Sequence, residues 1–104
     1  MVNCFIFARG GSKGLPKKNI KIFHGSPLIS HSISLAKRAS FIDKVFVSTD
    51  CEEIAQVAST HSVDVIKRPK SLATDSSSEL LSWKHAIEYV NNNYGTFNYF
   101  VSLP

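Results

Sequence analysis

The chain alternates between two spacings of apolar residues. Residues 2–8 (VNCFIFA) form a nearly unbroken apolar run that ends at glycines, which is typical of a strand buried on both faces. Residues 27–39 (PLISHSISLAKRA) instead repeat apolar side chains every three or four positions. This spacing indicates an amphipathic helix with Pro27 suited to its first turn. The chain therefore begins with a predicted strand followed by a predicted helix.

The same alternation continues along the rest of the chain. Further strands are predicted over residues 44–48, 63–66 and 98–103, and further helices over residues 52–58 and 78–90. The order β-α-β-α-β-α-β is typical of a parallel sheet with right-handed helical crossovers. We predict one three-layer α/β domain over residues 1–104, truncated after its fourth strand. Because the chain stops there, we expect it to be the N-terminal part of a longer protein.

Local patterns predict how two helices begin and which side chains form the core. Asp50 and Glu53 have the spacing of a capping box, as do Ser76 and Glu79, so we expect Asp50 to cap the second helix. An apolar stripe on the third helix and the aromatic residues of the strands are expected in the core. These residues are Leu80, Trp83, Ile87 and Val90 on the helix, and Phe5, Phe7, Phe46, Tyr99 and Phe100 on the strands.

Composition narrows the class of protein. The 104 residues are 43% hydrophobic and 19% charged, which suits one compact domain with a modest core. No apolar run approaches the roughly 20 residues of a membrane-spanning helix, and the first run lacks the preceding positive charge of a secretory signal. Cys4 and Cys51 form no CxxC pair, so neither a zinc site nor a disulfide framework is indicated. We expect a cytoplasmic protein with no membrane partner.

The basic residues are distributed unevenly. Seven of them lie in the first 42 residues, which contain no acidic residue. Such a cationic region attracts nucleic acid or small molecules that carry phosphate or carboxylate groups. A nucleic-acid-binding module is therefore an alternative from a different class. The basic residues cluster in one glycine-rich loop, however, without the interleaved aromatic residues of a base-stacking surface, so we expect no nucleic-acid partner.

Polar segments follow three of the predicted strands. In open parallel sheets, ligands bind beyond the carboxyl ends of the strands. The first strand leads into ARGGSKGLPKKNI (residues 8–20), the second into STD (48–50) and the third into KRPKSLATDSSS (67–78). These segments are expected to meet at one edge of the sheet, which predicts a binding site there.

The first segment suits phosphate binding, although it matches neither the Walker A loop nor the GxGxxG fingerprint. Its glycines let backbone N–H groups approach phosphate oxygens, and its hydroxyl, amide and basic side chains add donors and charge. A glycine-rich turn with solvated lysines is the alternative without a ligand. The candidate binding residues in this segment are Arg9, Gly10, Gly11, Ser12, Lys13 and Asn19.

The third segment is the second candidate. Its last residues precede a helix, whose N-terminus offers unpaired N–H groups and partial positive charge. We predict ligand contacts from Arg68, Asp75, Ser77 and Ser78, while helix capping is an equally good explanation for Asp75 and Ser76. The histidines lack metal-ligand spacing, and no pair of acidic residues stands near the predicted edge. We therefore predict no metal ligand within this chain.

Together these segments resemble a known family. ARGGSKGLPKKNI after a strand, VFVSTDCEEIAQVA, and KRPKSLATDSSS before a helix that contains HAI occur in the order of the CMP-sialic acid synthetases (acylneuraminate cytidylyltransferases). The resemblance spans nearly the whole chain. It implies a nucleotide-diphospho-sugar transferase-like fold. It also implies an enzyme that converts CTP and an acidic nine-carbon sugar such as N-acetylneuraminate into the CMP-sugar and pyrophosphate, with Mg²⁺ and usually as a homodimer.

The resemblance also implies roles for individual residues. The sugar's anomeric hydroxyl would attack the α-phosphorus of CTP, and Arg9 and Lys13 would act as catalytic residues by stabilising charge on the triphosphate. The residues that would hold the CTP phosphates and base, or otherwise contact the nucleotide, are Arg9, Ser12, Lys13, Asn19, Arg68, Ser77 and Ser78.

Two departures from the family pattern bear on function. Leu103 stands where the family usually has Gln, and the family's metal-binding aspartates, sugar contacts and dimerisation segment come later in its sequence. We therefore expect the Mg²⁺ ligands beyond residue 104, and little or no turnover from these residues alone. Two alternatives stay open. One is a cytidylyltransferase for legionaminic, pseudaminic or deoxy-octulosonic acid, and the other is a non-catalytic truncated remnant.

Overall fold

The computed structural model describes residues 2–10, 22–23, 25–69, 79–95, 97 and 99–103. Its elements follow the predicted order, with a short hairpin added after the first strand. They are β1 (Val2–Phe7), β2 (Ile22–Phe23), β3 (Ser26–Pro27), α1 (Leu28–Arg38), β4 (Lys44–Thr49), α2 (Glu52–Thr60), β5 (Asp64–Lys67), α3 (Glu79–Asn93) and β6 (Tyr99–Leu103).

The main sheet has the strand order β5-β4-β1-β6 within the described residues. β1 lies inside this sheet and pairs in parallel with both β4 and β6, while β4 pairs in parallel with β5. Parallel neighbours must be joined by crossover connections, and α1, α2 and α3 lie in those connections. The predicted α/β fold with a mostly parallel sheet is confirmed.

The helices cover the two faces of the sheet. Successive side chains of β1 point to opposite faces. Cys4 and Ile6 are buried in one cluster with Ile33 of α1, and residues of α2 belong to the same cluster. Phe5 is buried in a second cluster with Val90 of α3. A strand that is buried on both faces explains the unbroken apolar run at the start of the sequence.

Two of the predicted core residues are exposed instead. Leu80 is 67% exposed and Tyr99 is 72% exposed, so the core prediction is wrong for both. The buried side chains of α3 are Ser82, Ala86 and Val90, four residues apart, and this stripe does not include Leu80. Tyr99 begins β6, which is an edge strand in the described part of the sheet and leaves its first side chain in solvent. The other predicted core residues are buried or partly buried.

The hairpin formed by β2 and β3 was not predicted. Ile22 pairs with Pro27 and Phe23 with Ser26 in an antiparallel ladder. Each strand has two residues, which is too short to show an alternating pattern. Gly25, with φ of +82°, takes the left-handed conformation that tight hairpin turns require.

The third helix extends three residues beyond its predicted end, to Asn93. It stops at Gly95, whose φ is +98° and whose N–H donates to the carbonyl of Val90 at 3.1 Å. A left-handed glycine that reaches back over the last turn is a common helix terminator. None of the helices in the described part of the chain is long and apolar enough to cross a membrane.

Two residues of α1 test this assignment of the core. Ile33 is fully buried against the sheet, whereas Leu35 on the same helix is 58% exposed. We expect Ile33→Ala to lower the free energy of unfolding by about 2–5 kcal/mol, because it leaves a cavity in the core. Leu35→Ala is the matched control and should change it by less than about 0.5 kcal/mol. Urea denaturation measures both, and equal losses would contradict the assignment.

Candidate functional site

The candidate site begins where three parallel strands end side by side. Phe7 and Ser48 are the last paired positions of β1 and β4, and the ladder continues one step further through a bond from the Ala8 N–H to the Ser48 carbonyl at 2.9 Å. The Arg68 N–H likewise donates to the Thr49 carbonyl at 2.8 Å, just beyond β5. The segments that follow these strands therefore leave the sheet at one edge, as predicted.

Asp50 joins two of these segments. Its Oδ1 atom accepts a hydrogen bond from the backbone N–H of Gly10 at 2.9 Å. The prediction that Asp50 caps α2 is wrong: the N-cap residue is Cys51, and no side chain caps this helix. The Cys51 N–H instead donates to Thr49 Oγ1 at 3.1 Å. The Asp50 carboxylate therefore contacts the segment that follows β1 and does not cap α2.

Gly10 also lies against Cys51. A Cβ atom added to Gly10 would stand 2.7 Å from the Cys51 Cβ and 3.1 Å from its Sγ. Carbon atoms that are not bonded to each other do not approach so closely, so any larger residue at position 10 must displace a neighbour. The glycine is required here for close contact between the two segments.

Arg68 is the most buried charged side chain of the site, with 7% of its surface exposed. Its Nη1 atom donates to Ser82 Oγ of α3 at 3.0 Å. Burial lowers the pKa of its guanidinium, the nearby Asp50 carboxylate acts in the opposite direction, and Arg9 adds to the lowering. Arginine is nevertheless so basic that it stays cationic. The Asp50 carboxylate thus lies within electrostatic range of a buried cation.

Three of the sequence-predicted site residues lie in the described part of the chain. Arg9 and Gly10 follow β1, and Arg68 follows β5. Arg9 contributes to the lowered pKa of the Arg68 guanidinium, after burial, which is the larger cause. The other predicted site residues lie outside the described residues: Gly11, Ser12, Lys13, Asn19, Asp75, Ser77 and Ser78.

The contact made by Asp50 differs from the one its sequence pattern predicts. The spacing Asp-x-x-Glu before an apolar helix favoured capping, which is a local interaction, whereas the observed contact joins residues 40 positions apart. The order of the strands in the sheet could have predicted this contact. In the strand order of this sheet type, the end of β4 lies beside the end of β1, so a carboxylate there faces the glycine-containing segment.

Among the described residues, the cavity at this edge of the sheet is small. A cavity of about 50 Å³ lies between the ends of β4 and β5 and the first turn of α2, with Asp50 and Arg68 in its lining. This volume is comparable to one or two water molecules, at about 30 Å³ each. A larger groove of about 510 Å³ lies between α1 and α2, and its lining contains none of the predicted site residues.

The described residues do not fit a metal site. They contain no cluster of three or more His, Cys, Asp or Glu side chains that could hold a metal ion. One oxygen of the Asp50 carboxylate is already used by the Gly10 N–H. We therefore assign no Mg²⁺ ligand to them.

Fold and site together define a class of protein. A parallel α/β sheet whose inner strand ends in a cationic, glycine-containing segment is the architecture of nucleotide-binding α/β domains. More specifically, the chain belongs to the cytidylyltransferase family, whose model matches residues 3–99. The resemblance that the sequence motifs suggested is confirmed at the level of the family.

Individual relatives agree with this assignment. The chain is 48% identical over 79 residues to N-acylneuraminate cytidylyltransferase A of Danio rerio, an alignment that covers 76% of this chain and 18% of that protein. It is 39% identical over 101 residues to pseudaminic acid cytidylyltransferase of Campylobacter jejuni, which covers 96% of this chain and 44% of that protein. The chain thus spans between about a fifth and less than half of the length of these relatives.

A solved structure supports the fold. CMP:2-keto-3-deoxy-manno-octonic acid synthetase, which was solved in complex with CTP, superposes with a TM-score of 0.74 at 22% identity. The match covers 97% of this chain and 39% of that one. The nucleotide-diphospho-sugar transferase-like fold implied by the sequence is confirmed.

The close packing of Gly10 leads to a prediction. We expect Gly10→Ala to lower the free energy of unfolding by about 1–3 kcal/mol, because the new methyl group overlaps the Cys51 side chain. In a Cys51→Gly background the same change should cost clearly less, and glycine is tolerated at an N-cap position. Urea denaturation of the wild type, the two single variants and the double variant measures this coupling. Strictly additive changes in the free energy of unfolding would show that the residues at positions 10 and 51 do not overlap.

Proposed function

We propose that this chain is the nucleotide-binding part of an enzyme that transfers CMP from CTP to an acidic nine-carbon sugar, N-acetylneuraminate being the first choice. The products are the CMP-sugar and pyrophosphate. The observation that carries the proposal is the match of the cytidylyltransferase family model to residues 3–99. Arg9 and Arg68 place positive charge at the edge of the sheet where Gly10 lies, which is consistent with a triphosphate ligand.

The proposed reaction is an in-line displacement at phosphorus. The anomeric oxygen of the sugar forms a bond to the α-phosphorus, the bond from that phosphorus to the bridging oxygen of the β-phosphate breaks, and the hydroxyl proton passes to water. Arg9 and Lys13 are proposed to stabilise the negative charge that builds on the departing pyrophosphate. The other proposed contacts to CTP come from Gly10, Gly11, Ser12, Asn19, Arg68, Asp75, Ser77 and Ser78.

The identity of the sugar acceptor has a second candidate. The pseudaminic acid enzyme of Campylobacter jejuni aligns with 96% of this chain, and the N-acylneuraminate enzyme of Danio rerio aligns with 76% of it at higher identity. Legionaminic and deoxy-octulosonic acids belong to the same class of acidic sugars. We place N-acetylneuraminate first because of the higher identity.

The proposal extends to a metal ion and to assembly. Mg²⁺, when bound, would neutralise charge on the triphosphate, and its ligands are proposed to follow Pro104 in the full-length protein. We further propose that the full-length protein is a cytoplasmic homodimer.

Nucleotide preference tests the proposal directly. Titration of CTP and ATP against the full-length protein by calorimetry should show preferential binding of CTP. Lys13→Ala should weaken CTP binding by roughly tenfold or more, because it removes a cation from the triphosphate. Lys44→Ala is the matched control, since it removes the same charge at the amino end of β4, the opposite edge of the sheet. Equal affinity for CTP and ATP would refute a cytidine-specific site.

A panel of acceptors identifies the sugar. Pyrophosphate release by the full-length protein with CTP should be fastest with N-acetylneuraminate among N-acetylneuraminic, legionaminic, pseudaminic and deoxy-octulosonic acids. A higher kcat/KM with another member would reassign the acceptor and leave the reaction type intact. CTP binding without turnover on any of them would favour a non-catalytic remnant.

A further inference from the structure

The contact between Asp50 and Gly10 bears on how the nucleotide site is held in place. The Gly10 N–H donates to Asp50 Oδ1 at 2.9 Å. Gly10 had been expected to direct its N–H at phosphate oxygens. In this structure that donor is already used, so Gly10 serves as an attachment point of the segment that follows β1.

The hydrogen bond from Gly10 to Asp50 joins the segments that follow β1 and β4, beyond the end of the β1–β4 ladder. The β1–β4 ladder ends with the bond from the Ala8 N–H to the Ser48 carbonyl, two residues before Gly10 and two before Asp50. Beyond that point, the carboxylate spans the gap. Cys51, the next residue along the chain from Asp50, packs against Gly10, so the backbone of Gly10 is held by one hydrogen bond and one close contact.

The charge of Asp50 also matters at this position. The carboxylate acts electrostatically on Arg68, as does the cation Arg9. Before the nucleotide binds, the negative charge of Asp50 offsets part of the repulsion between Arg9 and Arg68. A neutral residue at position 50 would therefore weaken the attachment of Gly10 and leave that repulsion less compensated.

We propose that Asp50 is a positioning residue of the nucleotide site: its carboxylate anchors Gly10 and thereby sets where the adjacent Arg9 meets the triphosphate. This inference rests on the proposed function and adds a role for a residue outside the predicted set. The anchor persists when CTP binds, so Gly10 contacts CTP without donating its N–H to a phosphate. A hydrogen bond to a carboxylate is stronger than one to a neutral acceptor, so both the charge and the reach of the side chain matter.

The anchor itself can be measured without any nucleotide. Arg9–Gly10 is the only Arg–Gly dipeptide in these 104 residues. Labelling arginine carbonyls with ¹³C and glycine nitrogens with ¹⁵N reduces an NMR spectrum to glycine amides that follow arginine, and the Gly10 signal is the one that disappears in Gly10→Ala. We expect slow hydrogen exchange of this amide in the full-length wild type and in Glu52→Gln. Exchange should be at least tenfold faster in Asp50→Ala, with Asp50→Asn in between.

Kinetics of the same proteins test the positioning role. Asp50→Ala should raise KM for CTP by roughly tenfold or more, the size expected for loss of a hydrogen bond to a charged group, and should change kcat less. Asp50→Asn should show a smaller rise in KM. Glu52→Gln is the matched control, because it removes a neighbouring acid whose Oε2 lies 3.4 Å from Lys67 Nζ in an exposed ion pair. A purely structural role would reduce the amount of active protein and leave KM unchanged.

The outcomes separate this inference from the proposed function. Wild-type KM and slow Gly10 exchange in folded Asp50→Ala, or in Asp50→Asn if the alanine variant does not fold, would overturn the anchor. Slow Gly10 exchange in Asp50→Ala saturated with CTP would show that a phosphate oxygen can accept this N–H, and would overturn the exclusion of Gly10 as a phosphate donor. If the wild type binds no CTP, the proposed function fails and the positioning role fails with it. The exchange rates would then still decide whether Asp50 holds Gly10.

Discussion

The parallel pairing of β1 with β4 is the constraint on which the candidate site depends. Its register places Phe7 opposite Ser48, so the chain leaves both strands at the same level of the sheet. Two residues later on each side, Gly10 and Asp50 are close enough for a hydrogen bond. A slip of one residue would turn the buried side chains of β1 to the wrong faces of the sheet, so the two core clusters hold this register.

Burial of Arg68 adds a second link to the same edge. A guanidinium that loses its hydration is costly to bury unless hydrogen bonds and negative charge compensate for it. Ser82 on α3 supplies an acceptor, and Asp50 supplies negative charge from the end of β4. The cations at this edge therefore differ in their surroundings: Arg9 is partly exposed, whereas Arg68 is buried between β5 and α3.

Most of the fold could be predicted because its signals are local. The apolar run of β1 and the spacing of apolar residues in α1 indicate directly which side chains are buried. The alternation of strand patterns with helix patterns along the chain predicts the topology. The hairpin of β2 and β3 gave no such signal, because two-residue strands show no period. Exposure of Tyr99 depends on which strand lies at the sheet edge, which no single segment encodes. For the site, the sequence indicated Arg9, Gly10 and Arg68, but it assigned Asp50 to a local cap because the contact with Gly10 arises only from strand order.

The position of β1 inside the sheet has a consequence for synthesis of the protein on the ribosome. β1 emerges before the other described strands, yet Cys4 pairs with Val45 on one side and with Val101 on the other. Its second neighbour therefore becomes available only after nearly all of these residues have been translated. Contacts between residues so distant in sequence slow folding, because long loops must close before any pairing is gained. One edge of β1 therefore has no partner strand until β6 leaves the exit tunnel. During that interval we expect chaperone binding to matter most, because the apolar β1 is still exposed.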